Sequence, residues 1–151
     1  MAIQYKRILL KVSGEALSGP KGTGFDEETI ASICAGIKAA HDLGAQIGIV
    51  VLIALAAKNA ILDRMDADKI GMLATVMNAL AVKDALRQQG VDAVVMTSSF
   101  MPQVAECFTS DKAIAALESG KIVVFGGGTG NPFFSTDTAS ALRALEIGAD
   151  A

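Results

Sequence analysis

The stretch Phe125-Gly126-Gly127-Gly128-Thr129-Gly130-Asn131-Pro132-Phe133-Phe134-Ser135-Thr136-Asp137-Thr138 decides how this chain is read. An apolar run, Lys121 to Phe125, precedes it and reads as a buried strand. Four glycines follow within five residues, and they let backbone N–H groups approach a ligand with no Cβ in the way. Ser135, Thr136 and Asp137 are each good helix caps, and Thr138 to Leu145 reads as a helix. Strand, glycine loop and helix N-terminus together favour a bound anion, because unpaired N–H groups and the helix dipole converge there. A tight strand-to-helix turn without a ligand is the plainer alternative. Thr129 and Asn131, interleaved with the glycines, favour the ligand.

A similar junction lies near the start. Arg7 to Ser13 reads as a strand buried on both faces, as in a parallel sheet. Lys11, near its end, is either a lysine snorkelling to the surface or a phosphate-binding cation at the strand's carboxyl end. Ser13-Gly14-Glu15 directly after it favours the second reading. Ser18 to Gly24 is a turn-rich loop, in itself a solvated connection. Gly14 and Gly19 have the glycine spacing of a P-loop, but Pro20 stands where its lysine belongs, which excludes that motif.

A helix is expected from Asp26 to about Leu43, with Ile30, Ile33, Ile37 and Ala40 on one face and His41 near its end in a surface role. Gln46 to Val51 is the second strand. It continues into Leu52-Ile53-Ala54-Leu55-Ala56-Ala57 without any turn residue. Lys58 to Gln89 reads as helical with a break between Asp66 and Gly71. Leu73, Val76, Met77 and Leu80 form its stripe, and Asp68 reads as a cap or first-turn acid. Val91 to Met96 is the third strand. An irregular segment leads to a short helix capped by Ser110 or Asp111. Strands alternating with helices predict an α/β fold, a parallel sheet sandwiched between helices. The last helix, with no strand after it, gives the architecture a cut-short look.

The 151 residues predict a single domain, and the positive mean hydropathy excludes a disordered chain. A net charge of −3 argues against a nucleic-acid binder but leaves room for a nucleotide. Cys34 and Cys107 have no metal or redox spacing and read as reduced cysteines of a cytoplasmic protein. Lys11 interrupts the apolar run Ile8–Leu10, so no signal peptide is expected. The uncharged run from Ile47 to Ala57 is too short to cross a bilayer of roughly 30 Å.

Three blocks carry a resemblance: Lys6 to Leu17 (KRILLKVSGEAL), Ile70 to Asn78 (IGMLATVMN) and Gly128 to Phe134 (GTGNPFF). Together they resemble the bacterial uridylate kinase family, of the amino-acid kinase fold, from about Ile3 to Ala151. The resemblance implies a three-layer αβα fold and phosphoryl transfer from ATP to UMP, giving UDP and ADP. It implies that Lys11, Val12, Ser13 and Gly14 hold the ATP phosphates and that Asp68 contacts the ribose of UMP. It further implies that Thr129, Gly130, Asn131, Pro132, Phe133, Phe134, Ser135 and Thr136 wrap UMP. Gly19, Pro20, Lys21, Gly22, Thr23 and Gly24 would take part in activation by GTP, with UTP a second effector and a homo-hexamer the assembly. Lys11 would stabilise charge on the transferring group, and Asp137 would orient that lysine or a Mg²⁺-bound phosphate. Mg²⁺ would be carried by ATP, with no dedicated protein metal site.

The chain departs from the family pattern in two places. The family has a GGGN loop and a nearby arginine after the second strand, where this chain has Leu52 to Leu55. The family also continues well beyond Ala151, supplying an adenine pocket and a further aspartate. A nucleotide-binding, oligomer-forming module without catalysis is therefore the alternative reading. A kinase of carboxylates or carbamates is a third, and the GNPFF segment counts against it.

Overall fold

A computed structural model of the chain describes residues 2–52 and 63–151. Five strands form one parallel sheet: β1 (Arg7–Val12), β2 (Gln46–Val51), β3 (Ala93–Thr97), β4 (Glu106–Cys107) and β5 (Ile122–Gly126). Their spatial order is β1-β2-β5-β3-β4. The helices are α1 (Gly14–Ser18), α2 (Glu27–Asp42), α3 (Arg64–Gln88), α4 (Ser110–Glu118) and α5 (Thr136–Ile147). A short 3₁₀ turn, Gly19–Lys21, joins α1 to the segment before α2.

Alternation along the strands builds two cores. Ile47, Ile49, Val95 and Val124 pack under α1, α2 and α3, whereas Val50, Met96, Val123 and Phe125 pack under α4 and α5. This is the expected sheet sandwiched between helices. The central strand β5 is buried along its whole length, as a double-sided strand must be.

β1 departs from the expectation of burial on both faces. It is an edge strand, and Leu10 and Lys11 are exposed. Two of its outer backbone groups meet Asp150 and Ala151. The Asp150 N–H donates to the Arg7 carbonyl (2.7 Å), and the Leu9 N–H donates to the Ala151 carbonyl (2.9 Å). The N–H groups of Arg7 and Lys6 both donate to the Asp150 carboxylate, which holds its pKa below the usual value. That contribution is present above the usual carboxylate range and is lost as pH falls through the lowered pKa.

α2 runs as expected and is capped by the Asp26 carboxylate, which accepts from the Thr29 N–H. Its buried row is Ile30, Cys34 and Ile37, with Ile33 and Ala40 half-buried beside it. Burial pushes the Cys34 thiol up to about 11. His41 Nε2 lies 2.8 Å from the Gly120 carbonyl oxygen, fastening the end of α2 to the start of β5.

The expected break between Asp66 and Gly71 is absent, and α3 is continuous from Arg64. Lys69 pairs with Asp66 (3.3 Å) and Arg64 with Asp68 (3.3 Å), which supports the first turns instead. The part of the expected helix from Lys58 to Leu62, like most of the apolar run after Leu52, lies outside the described residues. The apolar stripe is divided. Val76 is buried, but Leu73 and Met77 face outward, and the buried row is Gly71, Thr75, Ala79, Val82 and Leu86. Small residues sit there because α3 lies close to the end of β5: a Cβ on Gly126 would stand 2.9 Å from the Val76 Cα. The short helix α4 is capped by Thr109 rather than by Ser110 or Asp111.

The close approach gives a first prediction. Gly126→Ala should destabilise the chain by about 1–3 kcal/mol, because the obstacle is backbone and cannot rotate away. Urea unfolding followed by circular dichroism measures it, and an unchanged midpoint would mean that α3 stands farther off.

Candidate functional site

The carboxyl end of β5 opens into the glycine loop, and three elements fix that loop. The Thr75 hydroxyl on α3 accepts from the Gly127 N–H (2.8 Å) and donates to the Met72 carbonyl (2.6 Å). The Ser98 hydroxyl, just past β3, donates to the Gly127 carbonyl (2.7 Å). From α5, Arg143 donates to the Gly128 carbonyl (3.2 Å). Gly127 has φ 83, and a Cβ there would meet Thr97 Oγ1 and Ser98 Oγ at 2.7 Å, so only glycine fits. The Asn131 N–H is taken by the Thr129 hydroxyl (3.2 Å), and the Gly130 N–H by the Gly127 carbonyl (3.1 Å). Among the described residues, the N–H groups of Gly128 and Thr129 find no acceptor. Two unpaired donors beside a helix N-terminus are what an anion requires.

The loop walls a cavity of about 490 Å³ whose other wall is the first three turns of α3. Asp68, Thr129, Asn131, Phe133, Phe134, Ser135 and Thr136 line it, and Gly130 and Pro132 belong to the same loop without lining the cavity. Asp68 is in the second turn of α3 and not at its cap. Its carboxylate accepts from the Phe133 N–H (2.7 Å), closing the loop onto the helix. Phe133 carries φ 69, unusual for a residue with a bulky side chain. The Arg64 guanidinium lies 5.5 Å over its ring. Phe133 and Phe134 are nevertheless exposed, offering two aromatic faces at the mouth of the cavity.

At the N-terminus of α5, the Lys11 ammonium meets the Asp137 carboxylate at 2.7 Å. Alternation along β1 sends Lys11 to the α5 side of the sheet, where Leu9 packs. The pair is exposed to solvent, next in sequence to Thr136 of the cavity wall. Ser13 caps α1, accepting from the Glu15 N–H, and Val12 is buried. Val12, Ser13 and Gly14 do not line the cavity. The Gly19–Gly24 segment stays apart from it and is tied to the cap of α2, with Lys21 at 3.5 Å from Asp26. The hydrogen bonds from Thr29, with help from Lys21, hold the Asp26 carboxyl below its usual pKa.

Arg64, Met72, Thr75 and Arg143 were missed by sequence reasoning. Arg64 stands four residues before Asp68, the spacing of a helical ion pair, and that signal could have found it. Nothing local marks Thr75 or Arg143, whose roles depend on which strand end they meet. Among the described residues, no group of three or more His, Cys, Asp or Glu side chains gathers as a metal site. Among them also, no helix is long and apolar enough to cross a membrane.

Residues 6–151 match the amino acid kinase family. The chain belongs to the amino acid kinase family. Among its relatives is a uridylate kinase from Chelativorans sp. (strain BNC1), 47% identical in an alignment of 158 positions that takes in the whole chain and 63% of the relative. The alignment is longer than the 151 residues here, so that amino acid kinase carries residues this chain does not. A solved UMP kinase from Bacillus anthracis superimposes with a TM-score of 0.91 and 37% identity, covering 97% of this chain and 63% of that one. A UMP kinase from Ureaplasma parvum gives 0.88 and 28%, covering 97% and 66%. The chain thus spans slightly under two thirds of the relatives it matches. The three-layer amino acid kinase fold expected from the motifs is the fold observed.

Thr75→Val keeps the shape of the side chain and leaves the buried Gly127 N–H without an acceptor. It should cost about 1–3 kcal/mol in chemical unfolding. A neutral result would show that water or a loop shift replaces the hydroxyl.

Proposed function

We propose that the protein transfers the γ-phosphoryl group of ATP to UMP, giving UDP and ADP. The observation that carries this reading is one cavity that gathers Asp68 and the Thr129–Thr136 loop, with the Lys11–Asp137 pair at its side. The names of the relatives point to the same substrate.

In this reading, Asp68 accepts hydrogen bonds from the ribose hydroxyls of UMP. It is already a carboxylate engaged with a donor, the Phe133 N–H, and the sugar would replace or share that donor. Thr129, Gly130, Asn131, Pro132, Phe133, Phe134, Ser135 and Thr136 wrap the nucleotide, with the two exposed rings beside the base. The unpaired Gly128 and Thr129 donors meet phosphate oxygens. Lys11, with Val12, Ser13 and Gly14, serves the ATP phosphates. A UMP phosphate oxygen attacks the γ-phosphorus, and the bond to the ADP oxygen breaks. Lys11 neutralises the charge that spreads over the moving group, in a reaction that is mostly positioning and electrostatics. Asp137 orients Lys11 or a phosphate that carries Mg²⁺. One carboxylate fits a Mg²⁺ that arrives with ATP and keeps most of its waters, and the ion would neutralise phosphate charge there. Residues 1–151 would form one domain, the UMP-binding side of the fold. Gly19–Gly24 would mediate activation by GTP, with UTP as a second effector, in a cytoplasmic enzyme.

A second reading is a nucleotide-binding module without turnover. The absence of the family's GGGN loop and arginine after Val51 favours it for this polypeptide. Binding and turnover separate the two. Calorimetric titration should show one UMP per chain, with binding lost in Asp68→Ala. A well-folded chain that ignores UMP would overturn both readings. If UMP binds, UMP-dependent release of ADP selects the kinase, and its absence selects the module.

We further propose that the protein is a homo-oligomer that pairs through α3. Ile70, Leu73 and Met77 are half or more exposed along one line of that helix. Asp66 and Lys69 lie at one end of the line, and Asp84 and Arg87 at the other, all exposed. A two-fold axis between Val76 and Met77 sets Asp66 against Arg87 and Lys69 against Asp84 of a second copy, around an apolar centre. Parallel pairing would oppose like charges. Leu73→Asp combined with Met77→Asp should therefore lower the mass found by sedimentation while leaving the circular dichroism spectrum unchanged. An unaltered mass would place the association elsewhere.

A further inference from the structure

Arg143 is almost fully buried, at 4% exposure, on the inner face of α5. A guanidinium is expensive to bury, so its contacts have to account for its place. Four are present. It pairs with Glu146 one turn along α5. It stacks 4.0 Å above the Phe108 ring. It donates to the Gly128 carbonyl at 3.2 Å. Phe108 in turn meets Phe125 edge to face at 5.6 Å, and Phe125 is the last residue before the glycines. The arginine therefore grips the loop at Gly128 and, through Phe108, braces the strand residue from which the loop starts. Gly128 has φ 58, and among the described residues neither its own N–H nor that of Thr129 finds an acceptor. The peptide plane that presents the Thr129 N–H is the plane whose carbonyl Arg143 holds, since that carbonyl and that N–H belong to one planar unit.

We propose that Arg143 is a positioning residue: by holding the Gly128 carbonyl from behind, it turns the Gly128–Thr129 peptide so that its N–H faces the cavity and meets the phosphate of a nucleotide. It touches no ligand itself. Its charge is largely balanced by Glu146, so its effect is one of orientation more than of field. Lysine cannot replace it, because a single ammonium cannot span a carboxylate, an aromatic face and a carbonyl at once. The inference deepens the UMP reading, on which its nucleotide half rests, while its loop half stands without any ligand.

The test has two arms on the same full chain. In ligand-free ¹⁵N NMR spectra, Arg143→Met, made together with Glu146→Gln to avoid stranding the acid, should shift and broaden the Gly127, Gly128, Thr129 and Gly130 amides. Signals of β1, β2 and α2 should keep their positions. Arg143→Lys should give an intermediate displacement of the same amides, and it serves alone if the double variant does not fold. Unmoved loop amides overturn the inference. So do changes spread over the whole spectrum, which signify a merely structural arginine. In the second arm, UMP affinity should fall about five- to tenfold. Displaced loop amides with unchanged affinity would overturn the claim that this orientation serves the nucleotide. Failure of the wild-type chain to bind UMP would sink the substrate reading, and the spectra would still decide the loop.

Discussion

The site depends on how near α3 comes to the end of β5. Gly126 and Val76 are in backbone contact, with no space for even a methyl group between them. That proximity lets Thr75 reach the Gly127 N–H, and it sets Asp68, two turns earlier, opposite the Phe133 N–H. A helix one or two ångströms farther out would lose the Thr75 bond, and the loop would lose its inner support. The small residues of the buried α3 row are the sequence's answer to this constraint. The larger Leu73 and Met77 are turned outward and are exposed.

A second constraint acts at the sheet edge. β1 has one strand neighbour among the described residues, and Lys11 near its end is exposed. Exposure lets the Lys11 ammonium meet the Asp137 carboxylate without being buried. Asp150 and Ala151 cover the outer backbone groups of Arg7 and Leu9. The carboxyl ends of the parallel strands β1 and β5 lie at the same end of the sheet.

Much of this was legible in the sequence, and for physical reasons. Strand and helix periods, caps and glycine stops placed β2 and α2 almost to the residue. The glycine run after Phe125 marked the strand-to-helix loop that lines the cavity. Three features escaped, each because it depends on tertiary placement. The edge position of β1 cannot be read from an apolar run, since a strand with one neighbour and a strand with two look alike. The outward turn of Leu73 and Met77 follows from the closeness of α3 to β5, which no helical period contains. Thr75 and Arg143 look like ordinary helix residues until the strand end brings Gly127 and Gly128 to them. Asp68 is intermediate: its position suggested a cap or first-turn acid, and its proposed role rests on the resemblance of the surrounding motif.

The central claim is that the cavity between α3 and the glycine loop receives UMP. Its most direct test is a ¹⁵N NMR titration of the chain with UMP, read residue by residue. The account predicts saturable shifts concentrated at Asp68 and from Gly128 to Thr136, with β3, β4 and α4 undisturbed. Shifts centred on another surface, or none at saturating UMP in a folded chain, would contradict it.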